Sequence, residues 1–249
     1  MKRLLVLAYH AVTPRWENPL AFAPEQFEAQ ISRLEASGYR GVTFMSAAIA
    51  APADPAVAIT FDDAFGSIAE FAFPILSDFG WPATVFAVTH AVDTGEPMRW
   101  LASEAEPLAA EELRPLSWDQ LSELREAGWE IGSHSRTHRL LVDLPDEELA
   151  DEIVGSRRDI VEHVGSCSSF SYPWGIFDQR VLAATRGAGY LAASGLAGRF
   201  HHDNPLAVPR FAISSTDDEL RFRLKTSATV SMMRGTRIWD LVDTLRPGH

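Results

Sequence analysis

Two short stretches of the chain carry residues that could do chemistry together. They are Thr60-Phe61-Asp62-Asp63, at the end of an apolar run, and His134-Ser135-Arg136-Thr137-His138, just after another. Two imidazoles four residues apart can face one point if the backbone makes a helical turn, and a carboxylate from elsewhere would supply a third ligand for a metal ion. Three ligands leave a coordination position open for water. In a strand the two aspartates of the pair point to opposite sides, so the second could take a proton from that water. The constellation implies hydrolysis.

Such residues need a scaffold, and the rest of the sequence supplies its pattern. Apolar, β-rich runs alternate with segments of helical period, which predicts an α/β fold of βα units around a largely parallel sheet or barrel. Strands are expected from Leu4 to Tyr9, Ala56 to Phe61, Ala83 to Val88, Trp129 to Gly132, Ser168 to Ser171, Tyr190 to Ala193 and Phe211 to Ile213. Phe27, Ile31 and Leu34 share one face of a helix from near Pro24 to Gly38. Trp118, Leu121 and Leu124 do the same before Gly128, with Ser117 and Gln120 as a capping box. A longer polar helix should run from Asp146 to Val164 with Gly165 as its stop, and another from Asp178 to about Gly187. Asp62, Asp63, His134 and His10 all follow expected strands directly, where barrels of this type place their chemistry. The acidic, proline-containing stretch from Asp93 to Pro115 reads as an insertion or loop that could overhang the site, and Ser227 to Arg246 as a final helix with Met233, Trp239 and Leu241 inward.

The bulk properties narrow the field. The 249 residues show no break in apolar content, so one domain over 1–249 is expected, and 46% hydrophobic residues with seven Trp suffice for a sizeable core. No stretch approaches the roughly 18 apolar residues of a membrane span. A net charge of -12 disfavours nucleic acid and anionic lipid as partners. Met1 to Ala8 reads as a first strand rather than a signal peptide, because Tyr9-His10 interrupts the apolar run, and a single cysteine, Cys167, fits a reducing compartment. A cytoplasmic location is the expectation.

The ordered set Thr-Phe-Asp-Asp, His-Ser-x-x-His and Phe170-Ser171-Tyr172-Pro173-Trp174-Gly175 resembles the polysaccharide deacetylases, the NodB-homology group or carbohydrate esterase family four. Supporting pieces are Ala72-Phe73-Pro74-Ile75-Leu76, Pro82-Ala83-Thr84-Val85-Phe86 and Gly128-Trp129-Glu130-Ile131-Gly132-Ser133, and the likeness extends from about Leu5 to Ile213. It implies an irregular (β/α) barrel of about seven strands and removal of acetyl groups from an N-acetylated sugar or glycan precursor with a divalent metal, commonly Zn2+, with Co2+, Ni2+ or Mn2+ as alternatives. By the same likeness Asp63, His134 and His138 match the metal ligands and Asp62 the general base, while the backbone N–H of Trp174 would face the oxyanion. Tyr172 and Arg210 join Trp174 as candidates on the substrate side.

Three departures from the family pattern stand out. Ala64 replaces the glycine that commonly follows the aspartates, so a backbone that only glycine tolerates is not expected there. Ser171 stands where an arginine usually orients the base, and Pro209-Arg210 could bring a guanidinium to Asp62 instead. The late histidine that protonates the leaving amine is missing; Tyr9-His10 resembles the motif-permuted branch of poly-N-acetylglucosamine deacetylases, which makes His10 the expected acid. Rival readings are an O-acetyl esterase or cyclic-amide hydrolase on the same fold, or a non-catalytic sugar-binding relative. Of the remaining residues, His90, His163, His201 and His202 read as surface or loop positions and Cys167 as an inert thiol. Trp81, Trp118 and Trp129 read as core, whereas Trp16 and Trp100 fall in loops where they could stack on a sugar.

Overall fold

The computed structural model describes residues 4–50, 54–98, 100, 109–196 and 204–227. In chain order the strands are β1 (Leu4–Tyr9), β2 (Ala11–Val12), β3 (Ala21–Phe22), β4 (Arg40–Val42), β5 (Ala56–Asp63), β6 (Thr84–Ala87), β7 (Glu130–Ser133), β8 (Ser169–Ser171), β9 (Ala192–Gly195), β10 (Val208–Pro209) and β11 (Phe211–Ala212). Nine of them form one sheet in the order β10, β9, β8, β7, β6, β5, β1, β11, with β4 also on β5. Every pairing in it is parallel. All seven expected strands are present, and the two additions are the short ones, β4 and β10. β10 ends in Pro209, which donates no ladder hydrogen bond and so belongs on an edge.

The two edges of the sheet are consecutive in the chain. β10 ends at Pro209 and β11 begins at Phe211, so Arg210 alone spans the seam that nearly closes the barrel. Its N–H donates to the Gly195 carbonyl at 3.0 Å on one side, and Ile213 N–H donates to the Ala8 carbonyl at 3.0 Å on the other. The barrel of the NodB type is thus a sheet whose last strands are stitched across its first.

Alternation sorts each strand into two faces. Leu5, Leu7 and Tyr9 of β1, Val57, Ile59 and Phe61 of β5 and Val85 of β6 join the large core beneath the helices. Val6, Ala58, Phe86, Ala192 and Val208 form a second, small cluster with Phe44 and Ala47 from the helix Phe44–Ala50, which plugs one end of the lumen. Buried on both faces, β5 has no exposed residue along its length, as parallel strands require. Further along the lumen the inward side chains are small and polar: Thr60, Ser169, Ser171 and Ser194, all fully buried.

The helices lie where their patterns place them. Pro24–Ala36 opens on its proline, and Trp118–Glu126 carries the expected capping box, with Ser117 N–H to Gln120 Oε1 at 2.9 Å and Gln120 N–H to Ser117 Oγ at 3.2 Å. Gln179–Gly187 is capped by Asp178. The long polar helix runs as Asp146–Ala150, a π-helical turn Asp151–Gly155 and Ser156–Val164, stopped at Gly165 with φ 90. The helix expected from Ser227 to Arg246, with Met233, Trp239 and Leu241, lies beyond its first residue outside the described residues, as do His201 and His202. No helix among the described residues is long and apolar enough to cross a membrane.

Lumen packing yields a stability prediction. A Cβ at Gly132 would sit 2.6 Å from both Phe86 Cδ1 and Ser169 Oγ, whereas at Gly187 it would meet nothing within 4 Å. Gly132→Ala should lose about 1–3 kcal/mol through overpacking, lowering Tm by roughly 2–4 °C per kcal/mol in thermal unfolding, while Gly187→Ala should be neutral or stabilising. Equal melting of the two variants would contradict this account of the lumen.

Candidate active site

Asp62 is the last inward-facing residue of β5, and the strand ends in an unusual turn. Asp63 and Ala64 both have positive φ, 68 and 61. This overturns the expectation drawn from Ala64: the backbone does take the left-handed conformation, at a cost of roughly 1–2 kcal/mol per residue for a side chain with a Cβ. It is held there by Leu116 N–H to the Ala64 carbonyl at 2.7 Å and Gly66 N–H to the Arg114 carbonyl at 2.8 Å. The turn also cancels strand alternation, so the two carboxylates do not point to opposite sides. Asp62 Oδ2 and Asp63 Oδ1 both approach His134 Nε2, at 3.9 and 3.8 Å.

His134 follows β7, and its Nδ1 lies 2.8 Å from the Ser171 carbonyl. A carbonyl only accepts, so Nδ1 carries the proton and Nε2 presents its lone pair to Asp63. His138 reaches the same point, Nε2 to Asp63 Oδ1 at 3.6 Å, from an irregular loop rather than a helical turn, with Ser135 and His138 at φ 65 and 59. Ligand atoms of Asp63, His134 and His138 lie within 4.8 Å of one another. Asp63 Oδ1 is buried with no hydrogen-bond partner. A tetrahedral zinc ion with two nitrogen and one oxygen ligands would space these atoms about 3.4 Å apart, and the two distances from Asp63 Oδ1 to the imidazole nitrogens, 3.8 and 3.6 Å, come near that. The donor set and the orphaned oxygen therefore fit a divalent cation.

The charges agree with that division. Burial, then the neighbouring Asp62 charge, pushes the Asp63 carboxyl well above its ordinary range, and burial drives the His134 imidazole down and that of His138 down to about 3, with His134 adding to the latter. The pocket thus disfavours charge on both imidazoles and on Asp63, and a cation facing the three ligand atoms would restore the carboxylate. Burial, the largest single influence, would raise Asp62, but the charge and hydrogen bonds of Arg210 together with His134 and His10 outweigh it, and the Asp62 carboxyl lies well below the usual carboxylate range.

Arg210 does this as a fork. Nη1 donates to Asp62 Oδ1 at 2.7 Å and Nη2 to Oδ2 at 2.8 Å; Nη1 also reaches Thr60 Oγ1 at 3.0 Å and Nη2 reaches Ser171 Oγ at 2.7 Å. The guanidinium lies 5.3 Å from the Phe86 ring centroid. Ser171 is thus the space left by the missing arginine, and a guanidinium from the seam fills it. Fully buried behind Asp62, Arg210 orients that carboxylate and does not line the substrate side. His10 follows β1, whose register pairs Tyr9 with Phe61 and so sets His10 beside Asp62. Its Nδ1 is buried without a partner, and burial holds the ring down at about 4, although Asp62 pulls the other way.

Tyr172 also leaves the substrate side. Its hydroxyl donates to the Leu206 carbonyl at 2.9 Å, its ring stacks on Phe177 at 4.3 Å, and it is fully buried as a core residue. Trp174 does face outward, half exposed at φ 60, with its ring 5.0 Å from that of His138. Trp100 stacks on the other side of His138, centroids 5.1 Å apart and 7° from parallel, so part of the stretch from Asp93 to Pro115 covers the site. Trp16, by contrast, is buried against Phe65 and is not a surface platform. Trp81 and Trp129 are buried as expected, while Trp118 is half-buried with its indole N–H on Asp93. Cys167 is buried, with its thiol pushed up to about 12 by burial.

Comparison with known proteins bears on the family and the fold. The sequence pattern of the family described as polysaccharide deacetylase matches residues 50–193. Over 195 residues the chain is 26% identical to YxkH of Bacillus subtilis (strain 168), a curated relative whose name places it provisionally among polysaccharide deacetylases. The match covers 76% of this chain and 62% of that protein, so the chain spans under two thirds of its relative's length. Among solved structures, IcaB from Ammonifex degensii superposes with a TM-score of 0.75 at 23% identity, covering 91% of this chain and 99% of that one. The Streptococcus pyogenes deacetylase PplD, solved in complex with acetate, gives 0.74 at 18% identity, covering 90% and 98%.

Breaking the buried pair should be costly. In chelator-treated protein, Arg210→Met should lose about 3–5 kcal/mol in urea unfolding, because it strands a buried carboxylate, and adding Asp62→Asn to it should recover part of that loss. A loss below about 1 kcal/mol would mean that the pair is solvated and worth no more than a surface bridge.

Proposed function

This chain belongs to the polysaccharide deacetylase family, and from that premise we propose that it is a metal-dependent hydrolase that removes an N-acetyl group from an acetylated sugar or glycan precursor, releasing acetate. The observation that carries the reading is the division of labour between adjacent carboxylates. Asp62 is matched to a permanent cation, Arg210, and Asp63 is left facing two neutral imidazoles. The first arrangement suits a base and the second a ligand.

Asp63, His134 and His138 would hold the cation, and two nitrogens with one carboxylate oxygen in a buried site favour Zn2+ over harder ions. When bound there, a divalent cation supplies Lewis-acid polarisation of the acetyl carbonyl and makes a water molecule acidic. Asp62 then takes the proton of the attacking water. Held so far below its ordinary range, this carboxylate is a weak base, and it works only on a proton already made labile; in return it is ionised throughout the neutral range. Arg210 engages both carboxylate oxygens, which fixes the plane in which their remaining lone pairs receive that proton.

His10 is the proposed acid for the departing amine. An amide nitrogen leaves poorly unless it is protonated, while an ester alkoxide needs less help, so an imidazole beside the base favours amide over ester hydrolysis. Burial keeps the resting ring neutral. The proton that Asp62 takes from the attacking water, passed on to His10, would make the imidazolium that then protonates the amine, and negative charge developing on the substrate oxygen would favour that form. The backbone N–H of Trp174 is the proposed second donor to that oxyanion, and the exposed Trp174 ring with Trp100 would present apolar faces to a sugar.

Acetate release should be followed across short N-acetylated glycosides and O-acetylated counterparts, with and without chelator. Release from the N-acetyl series, abolished by chelator and restored by Zn2+, is expected; release from esters alone would make the protein an esterase, and no release from either would sink the reading. Asp62→Asn should keep its metal content by elemental analysis yet lose about 10²–10⁴-fold in kcat.

A further inference from the structure

The middle of the loop between the two histidine ligands, at Arg136 and Thr137, makes its backbone hydrogen bonds to other parts of the chain. Its carbonyls are taken from one side, by Thr89 N–H on the Ser135 carbonyl at 3.2 Å and His90 N–H on the Arg136 carbonyl at 2.9 Å. The loop's two middle N–H groups are taken from the other side by one carboxylate, while Ser135 N–H donates to Ser133 Oγ at 3.2 Å and His138 N–H to Ser135 Oγ at 3.0 Å. Glu152 Oε2 accepts from Arg136 N–H and Thr137 N–H, each at 2.9 Å, and Oε1 accepts from the Thr137 hydroxyl. Glu152 is only 4% exposed and sits in the π-helical turn Asp151–Gly155. Such turns interrupt the regular helical ladder and occur frequently at functional sites.

The rest of this turn fits the same loop. Asp151 accepts from Arg136 Nη1 at 2.9 and 3.0 Å, Asp159 accepts from Arg136 Nε at 3.1 Å, and a Cβ at Gly155 would fall 2.6 Å from Arg136 Cδ. The helix thus grips both residues lying immediately before His138. What it holds is a backbone that would not rest there unaided, because Ser135 and His138 are both left-handed. Removing the Glu152 carboxylate orphans two N–H groups of the loop, and the cheapest remedy is for the loop to turn them to water. That movement carries the His138 imidazole away from Asp63.

We propose that Glu152 is a positioning residue for the metal site: its carboxylate, accepting three hydrogen bonds from the loop between His134 and His138, sets the distance of His138 from Asp63 and so the affinity for the divalent cation. The proposal rests on the metal reading given above. Glutamine is its natural control, because the amide oxygen can accept both N–H groups while the amide NH2 meets the Thr137 hydroxyl as a donor. Asp151→Ala is the second control, since Asp151 touches only the Arg136 side chain, on an exposed surface.

The test is Zn2+ and Co2+ affinity, measured by chelator competition on the full chain, together with the visible spectrum of the Co2+ form. Glu152→Ala should raise Kd about 10–100-fold and alter the Co2+ spectrum, while Glu152→Gln and Asp151→Ala stay within about threefold of the unmodified protein. Glu152→Ala binding as tightly as the unmodified protein, or Glu152→Gln binding as weakly as Glu152→Ala, overturns the proposal. Should Glu152→Ala fail to fold, Glu152→Asp, one methylene too short to reach the loop, takes its place with the same expected weakening. If the unmodified protein binds neither ion, the metal reading itself fails, an outcome separate from equal binding by protein and variant.

Discussion

A guanidinium and a carboxylate share the dry lumen of this barrel, and that pairing constrains what surrounds them. Either ion alone would cost several kcal/mol to bury, so each is tolerable only with the other in forked contact and its remaining valences satisfied. Thr60 and Ser171 accept two further hydrogen bonds from the guanidinium. The space for an arginine fork exists because the facing positions are Thr60, Ser171 and Ser194 rather than the large aliphatic residues that fill other barrels of this class. Below the fork, Phe44 and Phe86 close the lumen against water. The same pairing separates the two aspartates chemically. With its charge already matched, Asp62 has no need of another cation, whereas Asp63, next to it in sequence and equally buried, has none.

Much of this was legible in the sequence. Parallel strands buried on both faces leave long apolar runs, and helices with capping residues and terminal glycines leave a 3.6-residue rhythm, so seven strands and four helices could be placed. The pairing of Arg210 with Asp62 was also within reach, because the missing arginine at Ser171 asks where the base finds its cation. What the sequence hid has a common physical cause. Asp63, Ala64, Ser135, His138 and Trp174 all adopt positive φ without being glycine. Residue type does not announce such conformations, and around the aspartates and the histidine loop they are accompanied by tertiary hydrogen bonds such as those of Leu116 and Glu152. The expectation of opposite-facing aspartates and of a helical His-x-x-x-His both failed for that reason.

Other misreadings came from side chains whose partners lie far off in the chain. Trp16 was expected at the surface because its neighbours are turn residues, yet Phe65 buries it. Tyr172, expected on the substrate side with Trp174, instead lies in the core, on Phe177 and the Leu206 carbonyl. Glu152 falls within the long polar helix expected from Asp146 to Val164, and nothing in its residue type sets it apart from the exposed acids around it. Only the wider π-helical turn, which a residue list does not reveal, rotates it inward.

The seam at Arg210 also sets a timetable for the molecule. Proteins are made from the amino end, and domains acquire structure as they emerge. Here β1 must wait for β11, more than two hundred positions later, to cover its free edge, and Asp62 must wait 148 residues for Arg210. Until then the growing chain presents an unpaired strand edge and an unmatched carboxylate. Contacts so distant in sequence carry a loop-closure penalty and make assembly slow. The buried pair and the barrel are therefore completed in one final event, and a chain released before residue 210 would be unclosed, with Asp62 unmatched.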